Sequence, residues 1–157
     1  AFVALFKDHA KQEIFLVYRT DYPLWVLTGG GIEPGETPKK AAIRESFEET
    51  GFKIRLNNYL GVYQFPNRNT YLYDGFFISG EYVPEFPGNI GRWFNINNLP
   101  IDITSGTRQK IQDSLNFSSK PFEKTLQTDN KFKDNLHIIL RHPVQTLKLI
   151  RRYLKFK

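Results

Sequence analysis

The stretch GGGIEPGETPKKAAIRESFEETGF, residues 29–52, is the most informative segment of this 157-residue chain. It ends with three glutamates within five positions, Glu45, Glu48 and Glu49. On a helix, residues three and four apart are neighbours, and each like-charge pair at that spacing costs a few tenths of a kcal/mol. Either water solvates these carboxylates or something positive binds among them. The flanking sequence favours one of the two.

Residues 37–51 carry the start and stop signals of a helix. Thr37 is a suitable N-cap, Pro38 fits the first turn, and Gly51 can adopt the left-handed conformation that ends a helix. At 100° per residue, one arc of about 140° collects Ala42, Ile43, Ser46, Phe47 and Thr50. We expect this arc to pack against a sheet through Ala42, Ile43 and Phe47, and the three glutamates to face away from it.

A glycine-rich loop precedes this helix and changes the interpretation of its acids. The glycines at 29–31 allow close approach of the backbone and expose carbonyl groups, and Gly35 beside Pro34 makes a tight turn. A solvated polar face, with Arg44 pairing to Glu48, is the ordinary interpretation of such a helix. The loop favours another one. Carboxylates and a backbone carbonyl are an oxygen-only ligand set, which suits Mg²⁺ or Mn²⁺.

Residues 30–52 resemble the Nudix box, G-x5-E-x7-R-E-U-x-E-E-x-G-U, in which U is a bulky apolar residue. Every fixed position agrees, and the matching residues are Gly30, Glu36, Arg44, Glu45, Glu48, Glu49, Gly51 and Phe52. Ser46 occupies the other U position, where Leu, Ile or Val is usual, and Thr28 replaces a common proline. The resemblance covers residues 1–117 and implies an α/β fold, an α/β/α sandwich with a mixed β-sheet.

The resemblance also implies an activity. Nudix enzymes hydrolyse a nucleoside diphosphate linked to another moiety X, by attack of water at phosphorus. The implied ligands of Mg²⁺ or Mn²⁺ are Glu48, Glu49 and the carbonyl of Gly29. Glu45 is either a further ligand or the general base. The implied enzyme is a pyrophosphohydrolase, acting on acid anhydrides.

Other residues have supporting roles by the same resemblance. Arg44 would orient the neighbouring carboxylates, and Glu36 would support the loop with Gly30 and Gly31. Arg19 lies where Nudix arginines often contact phosphate, although an ordinary surface arginine is an equal alternative.

The resemblance does not assign a definite role to two groups of residues. Many Nudix enzymes have a further acid before the last strand, and here Glu81 or Glu85 is the candidate. Four aromatic residues could stack on a base or sugar, but core or surface packing is favoured for each: Tyr22, Trp25, Phe65 and Tyr71.

Several strand-like segments surround the box. Aromatic and β-branched residues are enriched at 1–6, 13–19, 24–27, 52–56, 59–65, 70–79 and 92–94. A helix is predicted over 105–117 with Ser105 as its N-cap, and 118–131 has no clear periodicity. Strands with interspersed helices, and no regular βαβ alternation, predict a mixed sheet covered by helices. We therefore predict a Nudix domain at 1–117 and a basic helical extension at 118–157, packed on the same domain.

The formal net charge of +6 at pH 7 is unevenly distributed. Residues 131–157 hold eight Lys or Arg and one acid, a balance of +7, whereas residues 1–130 balance to −1. Cysteine is absent, which excludes thiolate chemistry and suits a reducing compartment. No apolar run approaches the length of a membrane span, and we expect no signal peptide before the first strand. We predict a cytoplasmic protein without a transmembrane segment.

The basic tail has two sides at helical spacing. We expect its apolar side to dock on the body, and this side comprises Val144, Leu147, Ile150 and Leu154. The other side comprises Lys148, Arg151, Arg152 and Lys155. We favour solvation of these cations, and binding of RNA or of an anionic membrane surface is the alternative.

The substrate class leaves alternatives open. We favour a small-molecule nucleoside diphosphate derivative, and a homodimer is compatible with this activity. An RNA 5′-pyrophosphohydrolase that uses the basic tail is one alternative. A non-catalytic nucleotide-binding module is another, although such modules usually lose glutamates that this chain retains.

Overall fold

The structure, a computed structural model, describes residues 1–21, 23–126 and 140–143. Its strands are β1 (Phe2–Phe6), β2 (Glu13–Arg19), β3 (Leu24–Val26), β4 (Thr28–Gly29), β5 (Lys53–Phe65), β6 (Arg68–Ser79), β7 (Ile90–Asn95) and β8 (Phe122–Thr125). Its helices are α1 (Pro38–Thr50) and α2 (Ser105–Leu115).

Within these residues, eight strands form one mixed sheet. The strand order is β3-β2-β1-β6-β5-β8, while β4 pairs with β1 and β7 pairs with β2. The β1–β6 and β5–β8 pairs are parallel, and the other pairs are antiparallel. The predicted mixed sheet is confirmed.

The two helices cover opposite faces of this sheet. Side chains alternate along β1, so that Val3 and Leu5 share one core cluster with Ala42 of α1. Ala4 belongs to the other cluster, together with Ile111 of α2. The molecule is therefore the predicted α/β/α sandwich.

The capping signals of α1 are confirmed. The Thr37 side chain accepts a hydrogen bond from the Lys40 N–H at 3.3 Å, Pro38 is the first helical residue, and Gly51 ends the helix with φ of 72°. These signals involve only groups within a few residues of each other, which is why the sequence shows them directly.

The predicted packing of α1 is wrong on one side. Ile43 is 40% exposed and Phe47 is 54% exposed, whereas Ala41, Ala42, Ser46 and Thr50 are buried. The buried side is rotated by about 80° from the predicted arc, at 100° per residue. Two contacts explain the rotation: Ser46 Oγ lies 3.1 Å from Thr28 Oγ1, and Glu49 accepts a hydrogen bond from the Gly29 N–H.

Strand β5 corrects a second prediction, because it continues through the segment predicted to separate two strands. The ladder to β6 shifts register between Leu56 and Tyr59 and again between Tyr59 and Gly61. The bulge is stabilised by the buried Asp74 carboxylate, which accepts hydrogen bonds from the Asn58 N–H at 2.6 Å and from Lys11 Nζ at 2.6 Å.

The structure of the region after β7 differs from the prediction in two details. Thr104, not Ser105, is the N-cap of α2, and its hydroxyl accepts a hydrogen bond from the Thr107 N–H at 3.0 Å. Strand β8 lies within 118–131, where no element was predicted, and pairs with β5. The Phe122 and Tyr63 rings contact each other there, with centroids 5.0 Å apart.

The short described segment of the tail, residues 140–143, lies near Asp102. Arg141 Nη1 is 3.3 Å and His142 Nε2 is 3.5 Å from the Asp102 carboxylate. Tyr22 and the eight tail residues of the predicted apolar and basic sides lie outside the described residues. No helix in the described ranges is long and apolar enough to cross a membrane.

Candidate active site

The site begins where β4 brings the glycine loop against α1. Gly29 pairs with Phe2 of β1 and has φ of 143°, a conformation that favours glycine. A Cβ at Gly29 would lie 2.6 Å from the Phe2 Cα, so a side chain does not fit. The Gly29 N–H donates a 2.8 Å hydrogen bond to Glu49 Oε2. This bond places the Glu49 carboxylate at the end of the strand.

Gly30 has a similar relation to Glu45. A Cβ at Gly30 would lie 2.3 Å from Glu45 Oε2, within the space that the carboxylate occupies. The glycine therefore lets the Glu45 carboxylate lie directly against the loop. Two successive glycines thus cradle two of the three helix acids.

Arg44 links this loop to the helix. Its guanidinium donates to both carboxylate oxygens of Glu36, at 3.0 and 2.8 Å, and to the Gly31 carbonyl at 2.9 Å. Its Nη1 donates to Glu45 Oε1 and Glu48 Oε2, both at 2.9 Å. These hydrogen bonds raise the pKa of Arg44, and the bond to Glu36 contributes most. The bond between Arg44 and Glu36 also lowers the pKa of Glu36.

The Glu49 carboxyl has an unusual proton affinity. Burial raises its pKa to about 7, and the charges of Glu45 and Glu85 add to the rise. The Gly29 N–H and the charge of Arg19 oppose this rise without cancelling it. Negative charge at Glu49 is therefore incompletely compensated by the protein itself.

Glu85 joins the acidic group from a segment without regular secondary structure. Burial raises the pKa of Glu85, as do the charges of Glu45 and Glu48, whereas the charge of Arg19 lowers it. The sequence left Glu81 and Glu85 as equal candidates for a late acid. The structure brings Glu85 into the electrostatic range of the helix acids, and no periodicity in its segment could have shown this.

An open cavity of about 300 Å³ lies beside Glu49. It is lined by Phe2, Arg19, Asp21, Val26, Leu27, Gly29 and Glu49. Arg19 shares this cavity with Glu49, and Asp21 holds its guanidinium through hydrogen bonds of 3.0 and 2.9 Å. The cavity thus combines a carboxylate and a guanidinium.

Three of the aromatic residues considered from the sequence, Trp25, Phe65 and Tyr71, do not line this cavity. Trp25 packs against Phe94, with ring centroids 4.7 Å apart, and Tyr71 lies near Tyr59 at 6.4 Å. Phe65 packs at the edge of a core cluster. Phe2 is the aromatic lining residue, and its pairing with Gly29 across β1 and β4 was not predictable from its neighbours in sequence.

The donor set fits a hard divalent cation. Its members are oxygens from carboxylates and the loop backbone, which are the ligands that Mg²⁺ and Mn²⁺ prefer. In this conformation no three acidic or imidazole side chains of the described residues converge on one point. Glu45 and Glu48 each direct one oxygen to Arg44 and retain the other.

Sequence and structure comparisons agree with this geometry. Residues 1–113 match the NUDIX domain, and the chain belongs to the Nudix family. It is a Nudix hydrolase, an enzyme class that acts on acid anhydrides. The predicted family and enzyme class are confirmed.

Two relatives and one solved structure of similar fold illustrate the likeness. A Bacillus subtilis (strain 168) protein named "Putative 8-oxo-dGTP diphosphatase" is 35% identical over 119 residues, 74% of this chain and 78% of that protein. Human diphosphoinositol polyphosphate phosphohydrolase 3-alpha is 43% identical over 72 residues, 43% of this chain and 44% of that protein. A NUDIX hydrolase structure from Nitrosomonas europaea superposes with a TM-score of 0.66 at 19% identity, covering 81% of this chain and 78% of the other.

Proposed function

We propose that this protein hydrolyses the diphosphate linkage of a nucleoside diphosphate–X compound by attack of water at phosphorus. One observation carries the proposal: an incompletely compensated Glu49 carboxylate shares a cavity with the Arg19 guanidinium. A divalent cation would compensate the carboxylate, and the guanidinium would contact a phosphate oxygen.

The residues proposed to hold Mg²⁺ or Mn²⁺ are Glu48, Glu49 and the Gly29 carbonyl, and Glu45 is either a further ligand or the general base. When bound, the cation supplies positive charge that screens the diphosphate oxygens and makes water a stronger nucleophile. Arg44 positions this group, because its hydrogen bonds restrain Glu45 and Glu48 relative to the loop. Glu36, Gly30 and Gly31 support the loop in this arrangement.

A carboxylate must also remove a proton from the attacking water. Glu45 is the first candidate for this general base, as it lies against the loop beside the cavity residue Gly29. Glu85 is the second candidate, because it approaches the same acids from outside the helix. Glu45→Gln and Glu85→Gln separate the two, since loss of the base removes the acidic limb of the pH–rate profile, along which the rate rises as the base is deprotonated.

The names of the relatives support a small anionic substrate. They are named for 8-oxo-dGTP and for diphosphoinositol polyphosphates, and either class contains a phosphoanhydride. We propose a small-molecule substrate and a cytoplasmic site of action, in line with the absence of cysteine.

A panel of diphosphate compounds tests the proposal. It should contain ADP-ribose, NADH, dinucleoside polyphosphates, nucleoside triphosphates and 5′-triphosphate RNA, each with Mg²⁺ or Mn²⁺. We expect hydrolysis of at least one small compound, and water labelled with ¹⁸O should place the label on a phosphate product. Failure to hydrolyse any compound with either cation would contradict the proposal. Preference for the RNA would favour the alternative function of an RNA 5′-pyrophosphohydrolase.

A further inference from the structure

The segment that joins β6 to β7, residues 80–89, is hydrogen-bonded to the end of α1. The Val83 N–H donates a 2.9 Å hydrogen bond to the Thr50 carbonyl. Thr50 is the last residue of α1 and directly follows Glu49. This bond therefore holds the first half of the segment alongside the helix turn that carries the Glu49 carboxylate.

The other end of the segment is hydrogen-bonded beside Arg19. The Asn89 side-chain oxygen accepts a 3.2 Å hydrogen bond from the Thr20 N–H, and Thr20 directly follows the end of β2 at Arg19. Both Arg19 and Glu49 line the cavity of the candidate active site. The segment therefore runs from the end of α1 to the end of β2, next to the residues proposed to contact the cation and the phosphate.

The Tyr82 side chain of this segment packs against the sheet. Its ring centroid lies 5.6 Å from that of Phe15, and a Cβ at Gly91 would lie 2.5 Å from its Cε2 atom. The glycine at position 91 therefore leaves room for the ring. Gly91 pairs with Val17 of β2, and Val17 pairs with Val26, which lines the cavity. The ring thus lies on a row of paired residues whose far end reaches the cavity.

The Tyr82 hydroxyl is not explained by this packing. It is buried and has no hydrogen-bond partner among the described residues. Burial of an unpaired hydroxyl costs free energy, whereas a phenylalanine would make the same ring contacts without this cost. Such a group is uncommon in proteins, and a role in a functional site is one of its explanations.

The Glu49 carboxylate lies within electrostatic range of this hydroxyl. Burial raises the pKa of Tyr82, and the charge of Glu49 adds to the rise. The phenol therefore keeps its proton at neutral pH and is a hydrogen-bond donor. Glu49 accepts one hydrogen bond from the Gly29 N–H through Oε2, and an ionised carboxylate has about four acceptor sites. The carboxylate thus has further sites that can accept a donor from the side of the segment.

We propose that Tyr82 is a positioning residue of the cation site: its hydroxyl donates a hydrogen bond to the Glu49 carboxylate, directly or through one water molecule. Together with the Gly29 N–H, this donor would restrain the orientation in which Glu49 binds Mg²⁺ or Mn²⁺. The proposal rests on the proposed function, in which Glu49 is a cation ligand, and adds to the site a residue from outside α1.

Tyr82→Phe tests this role, because phenylalanine retains the ring contacts and removes only the hydroxyl. Tyr59→Phe is the matched control, since Tyr59 lies on β5 and does not line the cavity. Binding of Mn²⁺ to the substrate-free protein should be measured by electron paramagnetic resonance. We expect about tenfold weaker Mn²⁺ binding for Tyr82→Phe and less than about a twofold change for Tyr59→Phe. Equal affinity in the wild-type protein and Tyr82→Phe would overturn the role.

Turnover at two cation concentrations provides the second measurement. For a compound that the enzyme hydrolyses, Tyr82→Phe should lower the rate about tenfold at limiting Mg²⁺. Saturating Mg²⁺ should restore the rate to within about twofold of that of the wild-type protein, because the hydroxyl acts through cation binding. An equal loss at both concentrations would overturn the positioning role.

The proposed function and the role of Tyr82 can fail separately, because Mn²⁺ binding needs no substrate. Intact Mn²⁺ binding without hydrolysis of any compound would contradict only the proposed function, and the comparison of Mn²⁺ affinities would still decide the role of Tyr82. Absence of Mn²⁺ binding to the wild-type protein would contradict both the cation site and the role of Tyr82.

Discussion

Like charges crowd two regions of this protein, and the fold compensates them differently. On α1, Arg44 bridges Glu36, Glu45 and Glu48 with hydrogen bonds of 2.8–3.0 Å. On α2, Lys110 faces aromatic rings, with Arg68 as a charged neighbour. The acids of α1 therefore share an internal counter-ion, whereas Lys110 forms no ion pair with another described residue.

The remaining imbalance is similar in the two regions and opposite in sign. Burial raises the pKa of Glu49 to about 7 and lowers the pKa of Lys110 to about 8. A buried charge without a partner costs free energy, and a bound counter-charge recovers it. In the acidic region Arg44 restrains the carboxylates through hydrogen bonds, whereas Lys110 is held mainly against aromatic rings.

The largest expected effect is loss of turnover on removing charge from the acidic region. Glu48→Gln and Glu49→Gln should each lower kcat by at least about 100-fold, since the reaction requires negative charge and not side-chain volume. Glu33→Gln, an exposed loop acid, is the control and should retain activity. Circular dichroism would check that each variant folds. Near-normal turnover in both helix variants would remove the cation site from α1.

Truncation after Asn130 tests whether the basic tail stabilises the fold or provides a further basic region that binds nucleic acid. Burial of each of the tail's four predicted apolar side chains should stabilise the fold by about 1.5–3 kcal/mol. We therefore expect truncation to lower the free energy of unfolding by several kcal/mol. The contacts of Arg141 and His142 with Asp102 are consistent with such docking. Denaturant unfolding measures the change. An unchanged melting temperature with lost, salt-dependent RNA binding would instead indicate a nucleic-acid role.

The pH dependence of stability tests the acidic imbalance directly. Because the folded-state pKa of Glu49 is raised from 4.5 to about 7, its stabilising contribution is present below pH 4.5 and is lost as pH rises through about 7. In EDTA, the free energy of unfolding should therefore fall by up to about 3 kcal/mol over this window, relative to Glu49→Gln. Added Mg²⁺ should restore stability near pH 7. A parallel pH dependence in the wild-type protein and Glu49→Gln would refute the shift.

The smallest expected effect concerns the contact that orients α1. Thr28 and Ser46 are both unusual for a Nudix chain, and their buried hydroxyls lie 3.1 Å apart. A double-mutant cycle with Thr28→Val and Ser46→Ala should yield a coupling of about 1 kcal/mol in the free energy of unfolding. Phe47→Ala, on the exposed side of the same helix, should show no coupling to Thr28→Val. Additive effects of the Thr28 and Ser46 changes would contradict the orienting role.

The sequence by itself predicted the bounds of α1, the mixed sheet and the grouping of the acids on one helix. These features follow from groups close together in the chain: Thr37 caps its own helix, Gly51 ends it, and Glu45, Glu48 and Glu49 share one helix at spacings of one to four residues. Hydrogen-bonding and conformational preferences at that range are nearly independent of the rest of the fold.

Long-range packing determines which side of α1 is buried and which distant residues lie near its acids. Ile43 and Phe47 are apolar yet exposed, because Ser46 and Glu49 bond to β4 and rotate the helix. Glu85 approaches the helix acids across 36 or more residues of sequence, and Phe2 of β1 lines the same cavity as Glu49 of α1. Such contacts depend on how strands pair and helices dock, and local periodicity carries no information about them.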